Sequence, residues 1–149
     1  MNLQFSHSHF RDLSTVQLHA ILKLRVNVFV VEQQCAYAEV DGQDTGAWHV
    51  LGLDHHGMLM AYARVLPKHD EGPAHIGRVV VHPQVRGTGA ANALMHACFK
   101  VLEELYGSRA NHIAAQQYLE RFYQRFGYRT VSVPYDWDGI VHIDMVLDA

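Results

Sequence analysis

The chain has 149 residues, of which 49% are hydrophobic and 18% charged, and its formal net charge is −3 at pH 7. This length and composition are typical of one folded domain, which we expect to span residues 1–149, and they exclude a disordered or highly charged tail. Because a nucleic-acid-binding protein usually carries a basic surface stripe, the acidic balance predicts no nucleic-acid partner.

The cysteine content and the lengths of the apolar stretches indicate the cellular compartment of the protein. Cys35 and Cys98 are too few for a disulfide framework, and neither belongs to a CxxC pair. No apolar stretch reaches the roughly 18 residues of a membrane-spanning helix, and residues 1–10 lack the basic and apolar segments of a secretion signal. We therefore expect a cytoplasmic protein with no membrane partner.

The first clear element is a helix over residues 15–31. Ser14 and Gln17 have the spacing of a capping box at its start. Apolar residues recur at helical spacing and predict one buried face: Ile21, Leu24, Val28 and Val31. The polar stretch 32–46 follows, and we predict a loop with at most one short helical turn.

Three strands are predicted next, from short apolar runs that include the β-branched Val79-Val80-Val81: 48–53, 58–66 and 74–81. A turn at residues 55–57 separates the first two, and a polar loop at 70–73, with Asp70 and Glu71, separates the second from the third. Pro67 and Pro83 end the second and third strands, because proline cannot donate a ladder hydrogen bond.

The periodicity then changes to helical. Residues 90–106 predict a helix that ends at Gly107, with one apolar face: Ala90, Leu94, Ala97, Val101 and Leu105. After it we predict a strand over 111–115, and then a helix over 117–126 with an aromatic face: Tyr118, Phe122 and Phe126. Two final strands, 128–135 and 140–147, are joined by a turn at Asp138-Gly139. This order predicts a mixed α/β sheet.

A glycine-rich segment, residues 84–91, joins a predicted strand to a predicted helix. Glycine permits tight turns, and backbone N–H groups beside a helix N-terminus bind anions such as a diphosphate, to which Arg86 could add a contact. The segment lacks the Gly-Lys-Ser/Thr end of a P-loop and the GxGxxG fingerprint of dinucleotide-binding proteins. By itself it is either an anion-binding loop or only a turn.

Two motifs resemble those of one superfamily. Gln84-x-x-Gly87-x-Gly89, after the strand Arg78-Val79-Val80-Val81, resembles the acetyl-CoA motif of the GCN5-related N-acetyltransferases (GNATs), and Phe122-Tyr123-x-x-x-Gly127-Tyr128 resembles their late helix. Further segments are similar to the ElaA-like branch of bacterial acetyltransferases and extend the resemblance over nearly the whole chain: Leu24-Arg25, residues 28–33 with Cys35 and Tyr37, Asp41-Gly42, 61–64, 76–78, 114–116, 138–140 and His142-Ile143. The resemblance implies an α/β (α+β) fold, the GNAT acyl-CoA N-acyltransferase fold, with a mixed, mostly antiparallel sheet flanked by helices.

The resemblance also implies where acetyl-CoA binds as co-substrate. The strand backbone would pair with the pantetheine arm, and a backbone N–H near Val80 would stabilise the oxyanion. Gln116 occupies the position at which many family members have an asparagine that contacts this arm. The expected binding residues are Val79, Val80, Val81, Gln84, Val85, Arg86, Gly87, Thr88, Gly89, Ala90, Ala91, Gln116 and Tyr123.

Two catalytic residues are predicted. Tyr123 matches the tyrosine of the family, and its phenol, with an ordinary pKa of about 10, suits protonation of the leaving thiolate. The candidates for the base that takes the proton of the amine are Glu32, Glu39, Asp41, His82 and His142, and Glu32 leads because it follows the first helix, where this superfamily builds its acceptor wall.

The histidines form no HExxH or Cys/His cluster, so we expect no metal.

Three arginines lie in or beside apolar stretches: Arg25, Arg64 and Arg78. A buried arginine needs a carboxylate partner. We favour internal pairing with Glu32 or Asp41, and recognition of an acidic substrate group stays open.

The predicted reaction is transfer of an acetyl group from acetyl-CoA to the primary amine of a small molecule or peptide by direct attack. Two alternatives stay open, a non-catalytic acyl-CoA-binding sensor and a module that binds another phosphate ligand. An edge strand near the C-terminus could support a homodimer.

Overall fold

The computed structural model describes residues 2–68 and 72–149, so Asp70 and Glu71 of the predicted loop lie outside the described residues. In these ranges eight strands form one sheet in the order β1-β2-β3-β4-β5-β8-β6, and β7 also pairs with β8. The strands are β1 (Gln4–His9), β2 (Trp48–Leu53), β3 (Leu59–Leu66), β4 (Ala74–Val81), β5 (Asn111–Gln116), β6 (Arg129–Thr130), β7 (Tyr135–Trp137) and β8 (Ile140–Leu147). Only β4 and β5 pair in parallel within this part of the chain, which confirms the mixed, mostly antiparallel sheet.

Three α-helices flank the sheet in the same ranges: α1 (Thr15–Arg25), α2 (Ala90–Tyr106) and α3 (Glu120–Gln124). The predicted capping box at α1 is confirmed, because the Ser14 hydroxyl accepts a hydrogen bond from the Gln17 N–H at 3.0 Å and Gln17 Oε1 accepts one from the Ser14 N–H at 2.9 Å. The end of α2 is confirmed as well, since Gly107 adopts the left-handed conformation that favours glycine, with φ of +71°. No helix among the described residues is both long enough and apolar enough to cross a bilayer.

Two apolar clusters pack on the two faces of the sheet. Ala61 and Ala63 of β3 belong to the cluster that α2 covers, whereas Tyr62 between them belongs to the cluster that α1 covers. This alternation follows from the pleat of a strand, in which successive side chains point to opposite faces.

The predicted helix over 15–31 changes its geometry before it ends. After α1 the chain continues as a π-helical segment, Val26–Glu32. Val28 is buried as predicted, but Val31 is 64% exposed. A π-helical turn closes from i to i+5 and is wider than an α-helical turn, so it moves Val31 off the face that the α-helical period assigns to it.

The sequence analysis predicts no strand before residue 48, yet β1 pairs with β2 along its whole length. The strand is polar, and its β signal is weak. It is held at the sheet edge by this pairing and by ring contacts of His7 and His9 with Trp48, at 5.7 and 5.5 Å between centroids.

The prediction of a single strand over 128–135 is wrong, because the chain forms two short strands, β6 and β7, in this region. Between the pairs Thr130–Met145 and Tyr135–His142 this segment has two more residues than β8. Pro134 has no N–H to donate to the ladder with β8. The N–H of Asp144 in β8 donates its hydrogen bond to the Ser132 hydroxyl, at 2.8 Å, in place of a backbone carbonyl.

The helix predicted over 117–126 is shorter than expected. It begins as a 3₁₀ turn, Gln117–Leu119, and α3 follows. Tyr118 is 76% exposed although its spacing predicts burial, whereas Tyr123 and Phe126 are buried. A 3₁₀ turn has three residues, so the α-helical period does not hold through it.

Candidate active site

A cleft opens where the two parallel strands separate. β4 and β5 pair only at Ala74–Asn111 and His75–His112. Beyond these pairs the strands diverge, and a cavity of about 910 Å³ lies between them. Residues 79–81 of β4 and 114–116 of β5 line opposite walls. This leaves backbone groups of two neighbouring strands available to a ligand that enters the gap.

A β-bulge reorients β4 at the cavity. β4 has one residue more than β3 between the pairs Arg64–Gly77 and Tyr62–Val80, and Arg78 adopts a φ of +52°. Past the bulge Val80 packs with the α1 cluster, while Val79 packs against the α2 cluster. A bulge leaves its extra residue outside the ladder, so the backbone of this wall is not fully used by β3.

The loop after β4 is built to expose backbone N–H groups. His82 Nδ1 accepts a hydrogen bond from the Gln84 N–H at 3.1 Å, and the Thr88 hydroxyl donates one to the Val85 carbonyl at 2.5 Å. Gly87 and Gly89 have φ of +77° and +84°, and a Cβ added to either would find no atom within 4 Å. α2 then begins, and the first N–H groups of a helix have no intrahelical acceptor. N–H groups at a helix N-terminus are a common binding site for anionic groups such as a diphosphate.

The predicted cofactor residues fall into two groups. Seven line the cavity: Val79, Val80, Val81, Arg86, Ala91, Gln116 and Tyr123. The other six form the loop at one end of it: Gln84, Val85, Gly87, Thr88, Gly89 and Ala90. Val85 is fully buried, so its side chain anchors the loop in the fold.

Tyr123 lies in the cavity wall and is 6% exposed. The rings of Phe122 and Tyr128 contact it edge-on, with centroids 5.1 and 5.7 Å away. Burial raises the pKa of its phenol above the ordinary value, so the group is protonated at neutral pH.

Glu32 and Arg86 meet across one end of the cavity. The Oε2 atom of Glu32 lies 2.8 Å from the Nη2 atom of Arg86, and each side chain is 43% exposed. Further along the same wall, Gln116 Nε2 donates a long hydrogen bond of 3.4 Å to Gln33 Oε1. The end of the π-helical segment therefore contacts both the loop after β4 and the end of β5.

The three arginines pair internally, as predicted. Arg25 is fully buried and binds Glu39 and Asp44, with 2.7 Å from its Nη1 to Asp44 Oδ1. Arg64 binds both carboxylate oxygens of Asp41 at 2.8 and 3.0 Å. Arg78 binds Glu39 at 3.0 Å and Asp41 at 3.3 Å.

The partner Asp41 was predicted, whereas Glu32 takes no part in this cluster. Glu39 and Asp44 are the partners that sequence reasoning missed, since Glu39 was considered only as a base. No spacing rule connects these residues to three separate elements of the chain. The one available signal in the sequence was the position of each arginine in or beside an apolar stretch, because an arginine buried there needs a carboxylate partner.

The charge cluster holds the polar loop against the sheet. Burial opposes ionisation of Asp41, but hydrogen bonds from Arg64 and from the Gln43 N–H outweigh burial and lower its pKa to about 2. Burial also opposes ionisation of Asp44, and Arg25 and Arg64 likewise lower its pKa. These carboxylates are therefore ionised and engaged at neutral pH.

The far wall of the cavity comes from the turn between β7 and β8. Asp138 and Gly139 form the predicted turn, with φ of +53° and +83°. The Cys35 thiol donates a hydrogen bond to the Asp138 carbonyl at 3.1 Å, which ties this turn to the loop after the π-helical segment. His142 Nδ1 lies 2.8 Å from the Ile140 carbonyl oxygen, and its ring contacts Trp137.

Among the residues that the structure describes, no group of three or more His, Cys, Asp or Glu side chains could hold a metal ion. The cavity instead combines exposed N–H donors, diverging strands and a buried phenol.

The comparisons with known proteins agree with this geometry. The model of the acetyltransferase (GNAT) domain matches residues 13–149, and the chain therefore belongs to the GNAT acetyltransferase family. The chain is also similar to protein ElaA of Escherichia coli, with 40% identity over 146 residues, which cover 96% of this chain and 95% of that protein.

Two solved structures have the same GNAT acyl-CoA N-acyltransferase fold. The crystal structure of an acyl-CoA N-acyltransferase from Pseudomonas aeruginosa matches with a TM-score of 0.91 and 38% identity, over 97% of this chain and 99% of that one. The crystal structure of Escherichia coli ElaA matches with a TM-score of 0.91 and 37% identity, over 98% and 99% of the two chains. Both the superfamily and the ElaA-like branch expected from the sequence are confirmed.

Proposed function

We propose that this chain is an N-acetyltransferase that moves an acetyl group from acetyl-CoA to a primary amine by direct attack. The observation that carries the proposal is the gap between β4 and β5, which leads from the N–H-rich loop at residues 84–90 to Tyr123. A ligand with a diphosphate at one end and a thioester on an extended, amide-containing arm matches this gap in shape and in hydrogen-bonding groups. We further propose that residues 1–149 act as one catalytic domain.

The binding step uses backbone groups more than charged side chains. Diphosphate oxygens would accept hydrogen bonds from the N–H groups at Gly87 to Ala91, with Arg86 as the nearby cation. The pantetheine amides would pair with residues 79–81 as an added strand in the gap, and Gln116 stands on the opposite wall.

The chemical step is acyl transfer by direct attack of the amine on the thioester. The neutral amine nitrogen attacks the thioester carbonyl carbon and forms the C–N bond, and the electron pair of the carbonyl moves to its oxygen. A preorganised backbone N–H near Val80 would stabilise that oxyanion, which in comparable sites contributes roughly 3 kcal/mol. Collapse breaks the C–S bond, and the thiolate takes a proton from the phenol of Tyr123, so that CoA leaves as the thiol. The nitrogen, which carries an extra proton after the attack, releases it to water, and the phenolate of Tyr123 regains a proton from water.

The amine must lose its proton before it attacks. Glu32 is our candidate for the acceptor of that proton, directly or through water, because it lines the same cavity and is half-exposed. Glu39 and Asp41 form ion pairs with arginines, and His82 accepts a hydrogen bond within the loop after β4. These groups are therefore less available to take a proton from the amine.

Replacing Tyr123 with phenylalanine tests the proposal. The variant should lose turnover about a hundredfold or more, because general acid catalysis contributes at least this factor, while CoA binding measured by calorimetry stays within about twofold. Turnover is measured as free thiol released with acetyl-CoA and a panel of primary amines. Tyr118→Phe, on the exposed rim, is the matched control and should keep wild-type turnover.

Two outcomes would favour the alternatives. CoA binding without thiol release from wild-type protein, with every amine of the panel, would indicate an acyl-CoA sensor. Thermal stabilisation by ATP that equals stabilisation by CoA, with competition between the two, would indicate a module for other phosphate ligands.

A further inference from the structure

The ion pair between Glu32 and Arg86 joins two segments that line the cavity. Arg86 belongs to the loop at which we propose that the diphosphate binds, and Glu32 ends the π-helical segment, where we propose that the amine binds. Among ion pairs of residues 2–68 and 72–149, this is the one that connects these two segments.

We infer that Arg86 exchanges the carboxylate of Glu32 for the diphosphate of CoA, and that the cofactor thereby releases Glu32 to bind the ammonium group of the acceptor. The inference rests on the proposed function, and it deepens that function in two respects. It makes the acceptor a cationic amine that binds after CoA, and it makes Glu32 its ligand.

Charge and geometry favour the exchange. A diphosphate brings two negative charges against one for a carboxylate, and the N–H groups at Gly87 to Ala91 hold it beside the guanidinium of Arg86. Once it is bound, a carboxylate left at 2.8 Å from that guanidinium would also lie close to the diphosphate and would be repelled. Because both side chains are 43% exposed, breaking their pair costs little.

The other acidic groups near the cavity cannot take this role as readily. Glu39, Asp41 and Asp44 are shared among three arginines, none of which belongs to the loop at residues 84–91. Glu32 is the carboxylate whose cationic partner lies at the cofactor loop, so its freedom depends on the cofactor.

A binding experiment on the full chain tests the exchange. Calorimetry with CoA is run on wild-type protein, Glu32→Gln, Arg86→Gln and the double variant. Glu32→Gln should bind CoA about two- to fivefold tighter than wild type, because no pair has to be broken. In the Arg86→Gln background the same substitution should tighten CoA binding by a smaller factor, since only the repulsion remains.

Two controls separate the pair from general charge effects. Pantetheine, which lacks the diphosphate, should bind the wild type and Glu32→Gln equally. Asp138→Asn removes a carboxylate from the opposite wall without contact to Arg86, and it should change CoA affinity less than Glu32→Gln does. A crystal structure of the CoA complex should place Glu32 more than about 4 Å from the guanidinium of Arg86, beyond ion-pair distance.

The inference is overturned if Glu32→Gln weakens CoA binding or leaves it unchanged, because Arg86 would then hold both anions at once. It is also overturned if the two backgrounds give the same factor, because the effect of Glu32 on CoA would then not pass through Arg86. The failure of the proposed function looks different. In that case wild-type protein gives no heat with CoA at millimolar concentration, whatever the residue at position 32.

Discussion

Replacing Asp41 with asparagine removes the carboxylate that binds Arg64 and Arg78 and that holds the polar loop on the sheet. The pKa of Asp41 is lowered from 3.8 to about 2, against the opposing effect of burial, by hydrogen bonds from Arg64 and from the Gln43 N–H. At about 1.4 kcal/mol for each pKa unit, the ionised carboxylate contributes about 2 kcal/mol to the free energy of unfolding at neutral pH.

The sign of the pH dependence follows from the lowered pKa. The folded state binds the proton more weakly than the unfolded state, so this stability is fully present above the unfolded pKa of 3.8 and is lost as the pH falls through about 2. The difference between wild type and Asp41→Asn should be about 2 kcal/mol near pH 7 and near pH 5, and should fall to about half near pH 3.

Urea unfolding followed by circular dichroism at these three pH values measures the difference. Asp148→Asn is the matched control, because Asp148 forms an ion pair with Arg129 in which both side chains are exposed, and it should show no measurable loss at any of the three. A difference for Asp41→Asn that is the same near pH 3 and near pH 7 would refute the assignment of stability to the ionised carboxylate.

Two further predictions concern the core and the loop. Leu94→Ala, in a fully buried position on α2, should lower the free energy of unfolding by about 3 kcal/mol in denaturant titrations. The control Val16→Ala, at an exposed position of α1, should leave it nearly unchanged, and equal losses in the two variants would contradict the assigned core. Gly89→Ala brings no new atom contact but forces alanine to a φ of +84°, so it should lower the free energy of unfolding by about 1 kcal/mol. Gly46→Ala, where φ is not positive, should lower it less, and a Gly89→Ala variant as stable as wild type would refute the backbone strain.

The sequence predicts the elements that local signals delimit. The bounds of β2 and β4 agree with the predicted residues 48–53 and 74–81, and α2 ends where Gly107 follows it. Proline and glycine act on their own segment of chain, so their effect is readable without the fold. The loop at residues 84–90 belongs to the same group, because its glycines set the backbone within a few residues.

Elements that depend on a partner strand were not predictable in this way. β1 is polar and exists because β2 offers it an edge, and the segment after Tyr128 divides into β6 and β7 according to its fit on β8. The bulge has its positive φ at Arg78 and not at the neighbouring Gly77, so no glycine marks this conformation in the sequence.

Strands β2 and β4, helix α2 and the glycine turns after β4 were determined by the sequence itself, because they rest on periodicity and backbone freedom within short segments. The place of Tyr123 was an expectation from the resemblance to the GNATs. The tertiary structure decided which carboxylate each arginine meets. Arg25 pairs with Glu39 and Asp44, and Arg86 pairs with Glu32, because these ion pairs join segments that only the assembled sheet and its loops bring within about 3 Å of each other.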